Sequence, residues 1–462
     1  MKILILGAGQ VGGTLAYHLA NERNDITVVD SNMDRLRHLQ DRIDIRTVQG
    51  KASHPAIMRQ AGAEDTELLI AVTNSDEVNM VACTIAKRMF NIPTLISRIR
   101  AADYISRPEL FEGEKGFPIN VIISPEDVVT DYITRLIEYP GALQVLDFAD
   151  GKVRLVAIRA KAGGLLVGKA IRHLREHLPH IDTRVAAIYR RERGREGAII
   201  PTGDTVIQEG DEVFFIAAAN HIRTVMTELS PKEQPNKRII IAGGGNIGLR
   251  LAKALEQRYN VKIIDRNLQR CHELTEALTR TIVLHGNVAD KDILKEENIE
   301  ATDVFCAVTN DDEANIMAAM LAKHLGTRKV MALINNPDYV DLIQGGDIDI
   351  AISPQQITIG SLLTYVRHGE IVNVHSLRKG AAEAIEVVAK GDHKTSRVIG
   401  KRLDEVDLPP GATIGAIVRP GEVLIAHDHL RIQPDDHVIV FVVDKSQVAQ
   451  VERLFAVGLG FF

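Results

Sequence analysis

Two glycine-rich segments hold the residues whose types and spacing are most specific for one chemistry. In the first, Gly7, Gly9 and Gly12 follow the order Gly-x-Gly-x-x-Gly, directly after an apolar run and before a helical pattern. This context is typical of a dinucleotide-binding loop, whose glycines allow a tight turn, close approach to a pyrophosphate and close helix–strand packing. The N–H groups that open the helix then face the phosphates. The pattern predicts nucleotide contacts by Gly7, Ala8, Gly9, Gln10, Val11 and Gly12.

An acidic residue completes this pattern. Asp30 lies 18 residues beyond Gly12, at the end of the second apolar run, where its carboxylate is placed to accept hydrogen bonds from ribose hydroxyls. Its charge would repel a 2′-phosphate, so NAD(H) is favoured over NADP(H). A glycine triplet alone can be a simple strand-to-helix turn, but the strand, the spacing and the acid together favour a nucleotide site.

The same pattern occurs a second time, with Asp265 as its acid. Segment 71–87 aligns without a gap with segment 307–323, and ten of the 17 positions are identical. Such self-similarity indicates a duplicated structural unit, and the recurrence strengthens the prediction of NAD(H) binding. The glycine segment of the second copy consists of Gly243, Gly244, Gly245, Asn246, Ile247 and Gly248.

Polar residues end a further strand of each copy, Thr73 and Asn74 in the first and Thr309 and Asn310 in the second. They lie at the carboxyl edge of the predicted sheet, where ligands of open α/β sheets bind. We expect them to contact a ribose or a phosphate. The alternative is that they cap the following helix.

Two arginines, Arg98 and Arg100, close the fifth apolar run of the first copy. Strand alternation places both on one face, where they would clamp phosphates or bridge to a neighbouring subunit. The alternative is a pair of ordinary surface arginines. The corresponding positions of the second copy are Leu333 and Asn335, so the two nucleotide sites are predicted to differ.

The elements that must position these residues are predicted from hydrophobic periodicity. Short Val- and Ile-rich runs alternate with helical patterns, which indicates an α/β fold with a doubly wound parallel (Rossmann) sheet in each copy. After each sheet the pattern changes to alternating apolar residues and turns, typical of a small α+β lobe. The segment between the copies is polar, with two prolines, and is predicted to be a linker. The predicted segments are Rossmann domain 1 (1–123), lobe 1 (140–229), the linker (230–237), Rossmann domain 2 (238–353) and lobe 2 (370–455).

Other constellations point away from metal or catalytic chemistry. His173 and His177 are four residues apart, as in some zinc sites, but no third ligand is evident, and we interpret the segment as a solvated helix ending at Pro179. The charge-rich segment 190–195 is interpreted as a solvated hairpin loop. Neither copy shows the proton donor and substrate pocket that a dehydrogenase needs, so no catalytic residue and no metal ligand is predicted.

Composition limits the partners and the compartment. The net charge of −6 and the 4% of aromatic residues give no footprint for nucleic-acid binding. The apolar runs are much shorter than the roughly 20 residues that a membrane-spanning helix needs. No signal-peptide pattern is present, and the three cysteines are scattered. These observations predict a cytoplasmic protein.

The glycine loop, Asp30, segments 71–74 and 96–100 and the duplicated domain order resemble the KTN/RCK regulators of potassium transport. Segments 138–145 and 351–356 extend the resemblance, which covers essentially the whole chain. It implies a homo-oligomeric ring of Rossmann domains beneath a potassium-conducting membrane subunit of the Trk type. Bound NAD(H) or ATP/ADP would bias the ring and so gate the pore, and the protein would be peripheral on the inner face of the cell membrane.

The resemblance also bears on the arginines. Arg98 and Arg100 fall where the family has phosphate-contacting arginines, whereas Leu333 and Asn335 leave ATP binding by the second copy open. The function predicted is therefore a regulatory subunit and not an enzyme. The alternatives are an NAD-dependent oxidoreductase with duplicated Rossmann domains and a scaffold whose nucleotides are structural.

Overall fold

The Val- and Ile-rich runs of the first copy form one parallel sheet. The computed structural model describes the chain with the exception of residues 21–23, 114, 193–194, 231–233, 337–338, 341–342, 344–345, 367–369, 378–381, 428 and 458–462. A first compact unit spans Met1–Val129 and a second spans Thr130–Phe462. The strands of the first sheet are β1 (Lys2–Leu6), β2 (Asp25–Asp30), β3 (Arg46–Gln49), β4 (Leu68–Ala71), β5 (Thr94–Arg98) and β6 (Val121–Ile123).

This sheet has the strand order β3-β2-β1-β4-β5-β6, and all neighbours are parallel. The strand order reverses between β1 and β4, so the connections that follow these two strands run in opposite directions and a crevice for a ligand is expected between them. Strand β4 is buried along its whole length, as expected for a parallel sheet covered on both faces. The helices that accompany the sheet are α1 (Gln10–Ala20), α2 (Met33–Gln40), α3 (Pro55–Gln60), α4 (Asp76–Phe90), α5 (Ala102–Ile105) and the start of α6 (Pro125–Glu138).

The second unit contains a sheet with the same topology. Its strands, in spatial order, are β14 (Ile282–His285), β13 (Asn260–Asp265), β12 (Arg238–Ala242), β15 (Val304–Ala307), β16 (Lys329–Leu333) and β17 (Ile350–Ile352). The accompanying helices are α9 (Asn246–Leu255), α10 (Leu268–Ala277), α11 (Lys291–Glu296), α12 (Asp312–His324) and α13 (Pro354–Val366). No helix of the described residues is both long enough and apolar enough to cross a membrane.

Two five-stranded antiparallel sheets form the lobes. The first, in spatial order, is β10 (Arg195–Ile199), β9 (Thr183–Glu192), β11 (Glu212–Ala218), β8 (Val153–Arg159) and β7 (Ala142–Phe148), with helices α7 (Leu174–His177) and α8 (Ile222–Met226). The second is β21 (Glu422–Ile425), β20 (Ala412–Arg419), β22 (His437–Val442), β19 (Ala382–Val388) and β18 (Ile371–Leu377), with helix α14 (Val448–Phe455). The two sheets follow the same path, which confirms the predicted fold class of tandem Rossmann sheets, each followed by an α+β lobe. The five segment boundaries stay a prediction.

The two lobes share one hydrophobic core. Phe148, Phe214 and Ile216 of the first lobe are buried in the same cluster as Leu377 and Phe441 of the second. The rings of Phe214 and Phe441 meet edge to face, with centroids 5.9 Å apart, a geometry that aromatic pairs favour. The two lobes are therefore one packed body inside the second unit, which the sequence pattern did not indicate.

Each lobe also buries a matched ion pair. Arg190 donates two hydrogen bonds to Asp211, and Arg419 donates two to Asp436; both aspartates are 2% exposed. Removal of one partner would leave a buried charge, so we expect the loss of either partner to destabilise its lobe. The solvated-loop interpretation of segment 190–195 is thus wrong for Arg190, which lies within β9. Residues 193–194 of that segment lie outside the described residues.

One residue of the predicted linker is buried, which its polar composition did not suggest. Residues 231–233 lie outside the described residues, but Asn236 is buried and donates to the carbonyl of Ile137 at 2.7 Å. The flanking carbonyls of 136 and 138 accept from Lys329 and Arg223, each at 3.4 Å. The last turn of α6, whose carbonyls have no partners within the helix, is therefore capped by side chains from the linker, the first lobe and the second Rossmann sheet.

One buried acid makes lobe stability depend on pH. Glu212 lies beside Arg159 and Tyr189 in the sheet, and burial raises its pKa to about 7, against the opposing charge of Arg159. When the pKa of a carboxyl is higher in the folded state than in the unfolded state, the folded protein is most stable below the unfolded-state pKa. That stability is lost as the pH rises through the folded-state pKa. We expect Glu212→Gln to be more stable than the wild type at pH 8 by on the order of 2 kcal/mol, with little difference at pH 4.5.

Urea unfolding of the full chain at the two pH values measures this effect. Glu209→Gln, which removes an exposed acid of the same lobe, is the matched control and should not change the pH dependence. An unchanged pH dependence in Glu212→Gln would contradict the assignment.

Candidate nucleotide-binding site

The first glycine loop has the geometry that a nucleotide loop requires. Gly7 has a φ of +110°, a conformation that residues with a Cβ rarely adopt. A Cβ on Gly12 would lie 1.8 Å from the carbonyl oxygen of Gly7, whereas a Cβ on Gly9 would meet no protein atom within 4 Å. Gly12 is thus required for packing, and Gly9 borders open space at the start of α1. Gln10, exposed, and Val11, half-buried, form the first turn of that helix.

Asp30 ties this loop to the end of β2. One carboxylate oxygen accepts from the backbone N–H of Ala8 at 2.6 Å, and the other accepts from Asn32 at 2.7 Å. Each carboxylate oxygen can accept a second hydrogen bond, so the half-buried group keeps capacity for ribose hydroxyls. The predicted ribose ligand therefore also holds the loop in shape.

The second copy repeats the arrangement. Gly243 has a φ of +107°, a Cβ on Gly248 would lie 1.9 Å from the Gly243 carbonyl oxygen, and Gly245 borders open space. Asp265 accepts from the N–H of Gly244 at 2.7 Å. Asn246 and Ile247 open α9, as Gln10 and Val11 open α1.

A buried amide that the sequence analysis missed connects two strand ends in each copy. Asn79, which is 0% exposed, accepts from the N–H and the hydroxyl of Thr73 at 3.0 and 2.6 Å and donates to the carbonyl of Arg98 at 2.9 Å. In the second copy, Asn315 bonds Thr309 and the carbonyl of Leu333 in the same way. Both asparagines lie at identical positions of the repeated segment, which was the available signal.

This network bears on one of the two interpretations of the threonines, the capping of the following helix; contact with a ribose or a phosphate stays a prediction. The N-cap of α4 is Ser75 and that of α12 is Asp311, so the capping alternative is wrong for Thr73 and Thr309. Both threonine hydroxyls are directed at the buried amides. Asn74 and Asn310 are exposed at the sheet edge.

Arg98 and Arg100 turn towards different carboxylates. Arg98 lies 3.7 Å from Glu126, at the start of α6, and burial lowers its pKa against the raising effect of that acid. Arg100 donates to the carbonyl of Asn74 and lies 3.8 Å from Asp76. Neither is an ordinary surface arginine, since their side chains are 19% and 34% exposed. Arg100 is directed at the β4 side of the sheet edge, and Arg98 at the β6 side.

The second copy keeps the backbone hydrogen bonds of this region, but its side chains differ in charge. Asp312 accepts from the N–H of Asn335, as Asp76 accepts from the N–H of Arg100. Leu333 is buried at the position of Arg98. Gln355, the counterpart of Glu126, is 5% exposed and donates to the carbonyl of Asn335. The positions of Arg98 and Arg100 are therefore uncharged in the second copy.

The paired histidines of the first lobe have other partners. His177 contacts Glu228 at 2.8 Å, and His173 contacts the carbonyl of Ala170 at 3.0 Å. Helix α7 covers only Leu174–His177, so the two imidazoles do not share the face of one regular helix. Within the part of the chain that the structure describes, no group of three or more His, Cys, Asp or Glu residues is arranged to hold a metal ion.

The sites fit the adenosine and phosphate portion of a nucleotide. Gly9 and Gly245 leave room beside the loops, the first turns of α1 and α9 offer N–H groups for phosphates, and the two acids can accept from ribose. Arg100 adds a positive charge at the sheet edge of the first copy, where the second copy has Asn335.

Comparisons with known proteins place these features in a family. Residues 3–125 and 239–354 match the TrkA-N domain, and residues 155–230 and 393–456 match the TrkA-C domain. The Trk system potassium uptake protein TrkA of Halomonas elongata is 62% identical over 462 residues and covers 100% of both chains. The protein of the same name from Vibrio alginolyticus is 59% identical over 455 residues and covers 98% of both chains.

Solved structures share the fold. The GsuK RCK domain, at 19% identity, superposes with a TM-score of 0.61 over 98% of this chain and 94% of its own. The GsuK channel bound to NAD, at 18% identity, gives a TM-score of 0.60 over 98% of this chain and 78% of its own.

Proposed function

Because the chain belongs to the TrkA family of potassium-uptake proteins, which are regulatory and not catalytic, we propose that it is the nucleotide-binding subunit that gates a Trk-type potassium channel. The family resemblance stated from the sequence is confirmed, and the oxidoreductase alternative is wrong. The observation that carries the nucleotide part is the pair of glycine loops, each closed by an acid, Asp30 or Asp265.

NAD(H) is the ligand we propose for both copies. Each loop leaves open space at Gly9 or Gly245, and each acid can accept from a ribose while disfavouring a 2′-phosphate. The GsuK channel, which shares the fold, has been solved bound to NAD, which supports the same ligand class here.

ATP or ADP is proposed for the first copy. Arg100 offers a guanidinium beside the Asn74 carbonyl, and Arg98 lies within electrostatic range of it. Two positive charges at the same sheet edge suit a polyphosphate. The second copy, with Leu333 and Asn335, offers no such charge.

The proposed assembly is a homo-oligomeric ring beneath the membrane subunit, peripheral on the cytoplasmic face. The segments proposed to act as units are the Rossmann domains 1–123 and 238–353, the lobes 140–229 and 370–455, and the linker 230–237. A nucleotide that binds one ring shape more tightly than another shifts the equilibrium between them by its difference in binding free energy, typically about 1–3 kcal/mol.

Arg100→Ala should weaken ATP binding roughly tenfold, because a charge-assisted hydrogen bond to phosphate is worth about 1.5–3 kcal/mol. NADH binding should change much less, since Asp30 and the loop hold its adenosine half. Isothermal titration calorimetry on the full chain measures both affinities, with Arg107→Ala, an exposed arginine, as the control. Equal losses for both ligands would contradict this role for Arg100.

Potassium flux tests the function itself. Vesicles that contain the membrane subunit receive this protein with NAD⁺, NADH, ADP or ATP in turn, and we expect the flux to depend on which nucleotide is added. Tight nucleotide binding without any change in flux would favour the scaffold alternative.

A further inference from the structure

The Arg98 guanidinium already has a carboxylate of the protein beside it. Glu126 lies 3.7 Å away, and the two side chains are 19% and 13% exposed. This distance exceeds the 2.7–3.2 Å of a hydrogen bond, so the contact is a loose ion pair. The Nε of Arg98 is buried and has no hydrogen-bond partner among the described residues. The guanidinium is thus only partly satisfied by Glu126.

The second copy contains neither member of this pair. Its counterparts are the buried Leu333 and Gln355, while the surrounding bonds of Asn315 and Asp312 are kept. Loss of one member alone would leave an isolated buried charge, which is costly. The ion pair of Arg98 and Glu126 is therefore a feature of the first copy, and both of its positions are uncharged in the second.

We propose that Glu126 competes with the nucleotide for Arg98 and so sets how much phosphate charge a ligand needs to bind the first copy. The inference rests on the proposed function of nucleotide binding and adds a specificity-determining residue to it. A terminal phosphate carries up to two negative charges against one on Glu126, so a polyphosphate displaces the carboxylate. NAD(H) has no terminal phosphate and leaves the pair intact.

The position of Glu126 makes such an exchange feasible. Glu126 lies in the first turn of α6, where the helix dipole stabilises an anion. The carboxylate therefore keeps a favourable environment after Arg98 has moved to a phosphate. A neutral residue at position 126 would release Arg98 and would also no longer repel the incoming phosphate. Both effects strengthen phosphate binding.

The test measures ATP and NADH affinities of the full chain by calorimetry, with EDTA present. Glu126→Gln should bind ATP roughly fivefold more tightly and NADH about as the wild type does. Glu77→Gln is the matched control: Glu77 is an exposed acid at the same sheet edge whose pKa is lowered by bonds from Ser75 and Tyr104 and by Arg100. It should give a smaller change, because it is not paired with Arg98.

A double variant, Arg98→Leu with Glu126→Gln, copies the second site and should lose the gain in ATP affinity. Thermal unfolding of each variant checks that the fold is kept. ATP binding by Glu126→Gln that equals or is weaker than that of the wild type would overturn the inference and leave the proposed function standing. Absence of ATP binding in the wild type and all variants would overturn both the inference and the proposal of ATP as a ligand.

Discussion

Gly12→Ala should abolish nucleotide binding by the first copy and lower the stability of the first unit by about 3 kcal/mol or more. The new Cβ would lie 1.8 Å from the Gly7 carbonyl oxygen, a backbone atom that cannot move without opening the loop. Overpacking against a flexible side chain is usually cheaper, because a rotamer change relieves it. Gly248→Ala, at 1.9 Å from the Gly243 carbonyl oxygen, should do the same in the second copy.

Two neighbouring glycines provide matched controls. Gly13→Ala brings a Cβ only to 3.3 Å from the Leu39 side chain and should be neutral or stabilising, since alanine is favoured over glycine in a helix by up to about 1 kcal/mol. Gly9→Ala meets no protein atom and should keep the fold but lose nucleotide affinity. Circular-dichroism melting and NADH calorimetry separate the two effects. Equal melting of Gly12→Ala and Gly13→Ala would contradict this account.

Asn79→Ala should lower the free energy of unfolding of the first unit by roughly 2–4 kcal/mol. The fully buried amide accepts from Thr73 twice and donates to the Arg98 carbonyl, so alanine leaves the N–H of Thr73 and the carbonyl of Arg98 without these bonds in a partly buried environment. ATP affinity should also fall, because the end of β5, which carries Arg98 and leads to Arg100, loses its connection to the end of β4.

The exposed neighbour Asn74 supplies the control for this second prediction, and Asn74→Ala should change stability by less than about 0.5 kcal/mol. Urea unfolding of the two variants makes the comparison. A loss of stability in Asn74→Ala that matches that of Asn79→Ala would show that the effect is not due to burial of the amide.

The sequence predicted best those features that depend on residues close together in the chain. The glycine loop needs a left-handed Gly7 and a Gly12 without a side chain, and both requirements act within a few residues. The strand pattern predicted both parallel sheets because strands covered on two faces are almost entirely apolar.

Other features depend on residues far apart in the chain. Asn79 and Glu126 both act on Arg98. Arg98 lies 19 residues after Asn79, and Glu126 lies further along the chain on another element. The expectation that both arginines would act on one face was too simple, because alternation fixes the side of the sheet but not the neighbouring carboxylate to which each guanidinium turns. The burial of Asn236 could likewise not be predicted from the sequence, since a polar segment with prolines usually remains exposed.

The common core of the two lobes has a consequence for stoichiometry. Phe214 and Phe441 are joined through one polypeptide, so their lobes meet at an effective concentration that does not fall on dilution. Each first copy is then always matched with one second copy, as in a heterodimer whose subunits cannot exchange. Under that constraint one copy can keep Arg98 while the other carries Leu333, because the tether favours the pairing of unlike lobes in the core.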